Sequence, residues 1–398
     1  MSLPARSAPP SLLLYEPRSE GHHPVWLRLL TEDLLSAGHQ LTLAVNHTAK
    51  GFALIQEQLG DLLKKVRVLP ATDAAGRARG GSHLRSLELC LRESGAPCVF
   101  MGAVDEIASA AFRRAAFGWR PSRELAGRIG GIFHRPRFLE TARWSFNSAL
   151  KRVGFRRLLR ADFFRQLVLL DEYLTRDLQA TYPSAPLFFL PGPCIADAPG
   201  DRFAARAKLG LPDNRAVLLF FGVGSRRKGL HLAVEALQKV ENPATFLLCA
   251  GRLQPTPPVQ RGLDQLQSQG RALVLDRYVS TAEEKLCFDA CDIVLLPYVN
   301  HFGTSAVLFR AAAAGRRIIA SDEQLLGRLV RDHELGLLFP SGDATALAAS
   351  IRAAAAMPAT AVTAGVAQVR KFAERYSRDA FRSALLASVS VPSGPPNP

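Results

Sequence analysis

The chain has 398 residues, 48% of them apolar, with 50 Lys and Arg against 35 Asp and Glu and only six cysteines. That length holds two domains with ample cores, and no run approaches the roughly 20 apolar residues of a membrane span. Cysteines without paired spacing exclude a disulfide scaffold and point to buried thiols in a reducing, cytoplasmic setting.

The ends, "MSLPARSAPP" and "VPSGPPNP", are rich in proline and serine and read as disordered. "SLLLYEP" is too short for a signal-peptide core and no small-residue cleavage site follows it; it reads instead as a buried parallel strand. "RSEGHHP" is a polar turn. "VWLRLLTEDLLSAG" carries apolar positions at helical spacing with Gly38 as the stop, and "HQLTLAVN" is the next strand. This βαβ order predicts a parallel sheet, which "APCVFMG" and "RIGGIFH" extend.

From Arg113 to Arg165 there are 14 Lys/Arg and three Asp/Glu, a local net charge of +11. Such a stretch suits a polyanion, an anionic membrane or a phosphorylated substrate, and it equally describes a solvated basic surface. Trp144, Phe155, Phe163 and Phe164 are interleaved with the cations. "NSALKRVGFRRLLRADFF" shows no clean separation of apolar and basic faces, and Gly154 interrupts it.

Prolines cluster at 183, 186, 191 and 193, placing a domain boundary near 185–195. A second alternating series follows. "RAVLLFFGVGSRRKG" is a strand and a glycine-rich basic turn, and "LHLAVEALQKV" is an amphipathic helix. "ATFLLCAG" and "RALVLDRYV" read as strands, "TAEEKLCFDAC" as a helix and "DIVLLPY" as a strand. "LGLLFPSGDATALAASIRAAAA" closes the series, so this too is a doubly wound α/β domain, and two in tandem predict a ligand cleft between them. Cys287 and Cys291 stand four apart on a helix with no His or Cys cluster nearby, which favours a core role over a metal pair.

Two turns in this half carry chemistry. "FGVGSRRKG" places Gly222, Gly224, Arg226, Arg227 and Lys228 between a buried strand and a helix. Glycines let backbone approach an anion, a helix start offers free N–H groups, and the cations neutralise phosphate. The glycine spacing fits neither a P-loop nor a dinucleotide fingerprint, and a solvated basic turn is the plain alternative. "HFGTSAVLF" repeats the arrangement with Gly303, Thr304 and Ser305, where ordinary N-capping is the alternative. Two such turns at strand ends favour a diphosphate. In the first half, "EGHHP" is expected to bring Gly21 and His22 toward the same cleft, and "GIFHRP" puts His134 at a strand end beside Arg135. A strand-end histidine is a candidate to contact a substrate hydroxyl.

Taken together, "RRKG", "DACDIVLLP", "FGTSAVLFRAAAAGRRIIASD" and "GLLFPSGDATALAASI" resemble the retaining glycosyltransferases of the GT-B fold, in particular the family-four (group 1) enzymes. The resemblance implies two Rossmann-like domains facing across a cleft: residues 1–190 binding the acceptor, 191–375 the nucleotide-sugar, and 376–398 a helix returning toward the first domain with a tail. It assigns His134 a place near the transferred sugar and Lys228, with Arg226 and Arg227, the diphosphate; Gly224 belongs to the same turn. It assigns Gly303, Thr304 and Ser305 the donor phosphate and sugar, and Tyr278 and Val279 the base. Gly21, His22 and Arg135 fall on the acceptor side.

The chain also departs from the family. A second arginine often stands five residues before the lysine, where this chain has Val223. Two glutamates usually lie eight positions apart after the strand, the second holding the ribose; here those positions fall on Asn300 and Arg310, in a turn two residues longer. No acidic residue at all occurs between Asp292 and Asp322. The resemblance implies transfer from a nucleotide-sugar to a hydroxyl acceptor, without cofactor, metal or nucleic acid, with Arg310 serving the donor. The missing carboxylates suit a non-catalytic binding or partner protein, and the basic stretch suits a polyanion- or membrane-surface binder.

Overall fold

The computed structural model describes residues 10–139, 145–195, 200–240 and 244–390. The terminal segments expected to be disordered, except Pro10, lie outside the described residues, as does Trp144. The chain divides into two compact units, one running to Leu190 and resuming at Arg382, the other Pro191–Phe381.

The first unit alternates strand and helix from its start. β1 (Ser11–Glu16), α1 (His23–Ser36), β2 (Gln40–Val45), α2 (Ala49–Leu59) and β3 (Arg67–Pro70) come first. α3 (His83–Ser94), β4 (Val99–Met101), α4 (Asp105–Ala116) and β5 (Ile129–Phe133) follow. α5 (Phe146–Arg160), β6 (Phe164–Leu169), α6 (Glu172–Thr181) and β7 (Leu187–Phe189) complete the sheet. Its seven parallel strands are ordered β3-β2-β1-β4-β5-β6-β7. Strands such as β1 and β4 are apolar on both faces because helices cover both. Thr48, Ser82, Ser145 and Asp171 each cap the helix that follows them.

The second unit holds α7 (Arg202–Leu209), β8 (Ala216–Phe221), α8 (Leu230–Lys239), β9 (Thr245–Ala250) and α9 (Pro257–Ser268). β10 (Ala272–Leu275), α10 (Thr281–Ala290), β11 (Ile293–Leu296), α11 (Ala306–Ala313) and β12 (Arg317–Ser321) come next. α12 (Gln324–Asp332), β13 (Gly336–Phe339), α13 (Ala344–Ala355), α14 (Ala359–Arg375) and α15 (Arg378–Val389) end the described chain, α15 passing from this unit into the first at Arg382. The six parallel strands are ordered β10-β9-β8-β11-β12-β13. Arg206, only 1% exposed, ties α7 to this sheet by donating to the carbonyls of Pro212, Asp213, Arg215 and Ala290 and to the Asp292 carboxylate at 2.6 Å. A buried guanidinium is tolerable only when its donors are used in this way.

Two sequence expectations change. "RALVLDRYV" is strand only to Leu275: the Asp276 carboxylate accepts from Leu253 N–H at 2.7 Å, and the chain turns into a loop carrying Tyr278 and Val279. "NSALKRVGFRRLLRADFF" is α5 and the start of β6, and Gly154 does not interrupt the helix. A Cβ at 154 would overlap the Phe112 carbonyl oxygen, so this glycine lets α5 pack directly against the backbone of α4. Phe155, Phe163 and Phe164, read with the basic stretch, are core residues at 0%, 0% and 3% exposure. All six cysteines are free and buried. Among the described residues no single helix is long and apolar enough to cross a membrane; α13 and α14 are apolar enough only as a pair bent by 109°.

Candidate functional site

In an open α/β sheet, ligands gather beyond the carboxyl ends of the strands where the strand order reverses. In the second unit that point lies between β8 and β11, and the turns that follow these two strands are 222–229 and 297–305. They are locked to each other. Val299 N–H donates to the Arg227 carbonyl at 2.9 Å, and a Cβ on Gly229, whose φ is +76°, would overlap the Pro297 carbonyl oxygen. Arg226, Arg227 and Lys228 form a single 3₁₀ turn that delivers α8.

Lys228 is the electrostatic centre of this edge. Its Nζ sits 3.9 Å from the centroid of the Tyr298 ring and makes no side-chain hydrogen bond among the described residues. Burial, with Arg227 alongside, pushes its pKa down to about 7. Tyr298 is itself buried, with its pKa pushed up to about 12, and its hydroxyl meets Ser305 Oγ at 3.0 Å. Ser305 stands at the N-cap position of α11 yet gives no side-chain cap, because its hydroxyl is turned to Tyr298. The first-turn N–H groups of α11 are therefore left without a side-chain cap, at the end of the helix that favours anions. Ordinary N-capping by Ser305, the plain alternative, is not what occurs.

A histidine that the sequence reading passed over joins the two turns. Arg227 Nη1 donates to His301 Nδ1 at 3.0 Å, which leaves the ring proton on Nε2, 3.3 Å from the Thr304 carbonyl. The His301 N–H donates to Glu323 Oε2 at 3.2 Å. Lys228, Arg227, Thr304 and Ser305 thus belong to one bonded unit, with Gly303 between, at φ +85°. Gly224 is pinned by hydrogen bonds to Arg252 and Gln254, while Arg226 is exposed beside it.

Arg310, expected to serve the donor, donates its Nε to Glu284 Oε1 on α10 at 2.6 Å, and its Nη1 lies 3.5 Å from the Ile195 carbonyl. Beyond β10, Tyr278 is 86% exposed, on a loop anchored by the Arg277–Glu283 pair at 2.5 Å and the capping box of Ser280 and Glu283. Glu283, its pKa held down to about 2 by the Arg277 hydrogen bond, stays ionised.

The first unit reverses strand order between β1 and β4, and its histidines gather at that edge. His22 and His23 stack with centroids 4.4 Å apart, His134 lies 5.4 Å from His22, and Trp26 meets His134 edge-on at 5.5 Å. His134 Nε2 lies 2.8 Å from the Gly102 carbonyl, and the carboxylate of Asp105 accepts the backbone N–H groups of His134 and Arg135 at 2.9 and 3.0 Å. His23 Nδ1 contacts Glu16 Oε2 at 3.0 Å. Burial lowers the pKa of His134, and burial with the neighbouring rings pushes that of His22 down to about 4. Gly21, at φ +66°, makes the turn that presents His22. The structure therefore gathers His22, His134 and Gly21 at one edge, with Arg135 exposed beside them, and adds His23 and Trp26. Among the described residues no group of three His, Cys, Asp or Glu is placed to hold a metal ion.

Two doubly wound parallel sheets, each with its polar groups gathered where the strand order reverses, define a GT-B fold. Residues 201–367 match the family model of glycosyl transferases group 1. A phosphatidyl-myo-inositol mannosyltransferase of Mycobacterium leprae is 31% identical over 144 residues, 35% of this chain and 37% of that protein. A D-inositol 3-phosphate glycosyltransferase of Rhodococcus erythropolis is 31% identical over 205 residues, 48% of this chain and 44% of that protein. The chain therefore matches less than half the length of these curated relatives. Among solved structures, Anabaena Alr3699/HepE in complex with UDP superposes with a TM-score of 0.69 at 16% identity, covering 96% of this chain and 99% of that one. WaaG, a glycosyltransferase involved in lipopolysaccharide biosynthesis, superposes with a TM-score of 0.65 at 16% identity, covering 96% of this chain and 100% of that one.

Proposed function

We propose that this protein transfers a sugar from a nucleotide-sugar donor to a hydroxyl acceptor, with retention of configuration at the anomeric carbon. The observation that carries the reading is Lys228. It is a mostly buried ammonium without a side-chain hydrogen bond among the described residues, set at the strand-order reversal beside an uncapped helix start. Such a group suits a phosphate dianion, and a diphosphate also has room to meet Arg227 and the amides of the 303–305 turn. In sugar transfer the nucleoside diphosphate departs as an anion, so fixed cations and N–H dipoles lower the barrier where charge develops. No bound metal and no separate cofactor is needed for that step, and front-side attack by the acceptor needs no strong base. His134, held by Asp105 and Gly102, supplies a neutral imidazole on the acceptor-binding unit.

The relatives support this chemistry: two are named as sugar transferases acting on inositol-containing molecules, and the Anabaena protein was solved with UDP. Six buried free thiols suit a cytoplasmic setting. The α4–α5 pair supports peripheral attachment to an anionic membrane, because Phe117 and Phe146 are 78% and 74% exposed among its cations.

A thermal-shift panel with UDP, GDP, ADP, TDP and CDP tests the donor reading, since a ligand of the native state raises the melting temperature by mass action. A rise with one or two of these is expected. No shift with any of them at millimolar concentration would leave a non-catalytic family member, the reading that Asn300 and Arg310 favour. Binding without release of nucleoside diphosphate from the matching nucleotide-sugar would leave a binding protein.

A further inference from the structure

The Arg310–Glu284 pair has a place in the fold that a helix-to-helix brace does not require. α10 and α11 both begin at the carboxyl edge of the sheet, beyond β10 and β11 respectively. Glu284 lies four residues after the cap Ser280, and Arg310 five residues after Ser305, so each is about one turn into its helix. In the order β10-β9-β8-β11 these helix starts are three strand spacings apart, about 14 Å. A nucleotide whose diphosphate sits at Lys228 and the α11 start, and whose base reaches the 276–280 loop, lays its ribose along the edge between them. The ion pair spans that stretch.

Its chemistry suits a diol. Two consecutive glutamates open α10 and are used differently: Glu283 is consumed by the Ser280 cap and Arg277, whereas Glu284 turns to α11. Arg310 takes Glu284 Oε1; Glu284 Oε2 accepts no hydrogen bond among the described residues and is not sealed from solvent. The two side chains are 26% and 21% exposed, so the carboxylate is fixed but reachable. A ribose offers two neighbouring hydroxyl donors, a carboxylate only accepts, and a guanidinium only donates. We infer that Glu284, oriented by Arg310 as a positioning residue, receives the ribose hydroxyls of the donor nucleotide. This inference rests on the donor reading above.

Calorimetry with UDP, GDP and ADP, each against its 2′,3′-dideoxy counterpart, tests it on the wild-type chain and on Glu284→Gln, Glu284→Asp and Arg310→Met. For the nucleotide that binds, the wild type is expected to favour the ribose form by about 10- to 100-fold, the value of hydrogen bonds to a charged acceptor. Glu284→Gln is expected to lose most of that preference while still binding the dideoxy form as the wild type does. Glu284→Asp and Arg310→Met are expected to fall between, the first through shorter reach and the second through a freed carboxylate. Equal wild-type affinity for both forms, or full preference surviving in Glu284→Gln, would overturn the assignment and leave the donor reading standing. No wild-type binding of any of the three diphosphates would overturn the donor reading, and this inference with it.

Discussion

The ammonium of Lys228 rests 3.9 Å from the ring centroid of Tyr298, whose hydroxyl is bonded to Ser305 at 3.0 Å, so the cation of one turn is seated on the residue that orients the other. The aromatic face offsets part of the ammonium's desolvation, but burial still dominates, and the pKa falls to about 7. A bound diphosphate restores the charge. Affinity for the diphosphate is therefore expected to weaken as pH rises above about 7, with proton uptake on binding near pH 8. Calorimetry in buffers of different ionisation enthalpy reads that uptake directly. Lys228→Ala is expected to lose about 1.5–3 kcal/mol of binding and most of the proton uptake.

The same residue sets a stability slope in the free protein. Its folded pKa of about 7 lies below the ordinary 10.5, so the unfolded chain holds more protons across that window. Stability from this group is fully present above the ordinary value and is lost as pH falls toward 7. Urea unfolding from pH 7 to 9 is expected to show a smaller gain with pH in Lys228→Met than in the wild type.

How much of this was legible beforehand depended on distance along the chain. Buried parallel strands show as continuous apolar runs, so β1, β8 and β11 could be read directly. β3 and β7 are short, and β6 was hidden by the cations around it. The turns at 222–229 and 303–305 announce themselves by glycine and cations at a helix start. The pairing of Arg310 with Glu284, 26 residues back, and of Arg227 with His301, 74 residues on, has no local signature. Gly154 misled because a helix-interior glycine ordinarily marks weakness, whereas here it makes room for a neighbouring carbonyl.

His301 links Arg227 to the 303–305 turn, and its removal leaves the guanidinium without that acceptor. His301→Ala is expected to lower nucleoside diphosphate affinity by about 2- to 10-fold, the net worth of about one hydrogen bond. The dideoxy discrimination assigned to Glu284 is expected to persist, because that pair lies on α10 and α11. Unchanged affinity would show that Arg227 needs no brace.

Two glycines separate packing from site geometry. A side chain at Gly229 meets both an unfavourable φ of +76° and the Pro297 carbonyl, while one at Gly154 meets only the Phe112 carbonyl. Each alanine is expected to cost about 1–3 kcal/mol of stability by overpacking. Only Gly229→Ala is expected also to weaken nucleoside diphosphate binding, because it pushes the turn of Lys228 away from the end of β11. Denaturant midpoints and calorimetry on both variants check the contrast.

The α4–α5 surface supplies the last test. The two helices run parallel, with Lys151 Nζ 3.0 Å from Ser109 Oγ and Arg157 donating to the Ala115 and Ala116 carbonyls. Several cations are thus committed to structure: Arg157 covers the free carbonyls ending α4, Arg152 donates to Phe138 O, and Arg156 to the Tyr182 hydroxyl. Arg113 and Arg114 remain exposed on α4, and Phe117 and Phe146 project at opposite ends of the pair. An exposed basic residue near an anionic surface contributes about 1 kcal/mol, and an inserted aromatic adds apolar burial that salt does not screen. The wild-type chain is therefore expected to sediment with phosphatidylserine-containing vesicles at low salt and to be largely released at high salt. Phe117→Ser with Phe146→Ser is expected to reduce the salt-resistant fraction, and Arg113→Gln with Arg114→Gln the salt-sensitive one. Sedimentation indifferent to both lipid charge and salt would rule out electrostatic attachment through this face.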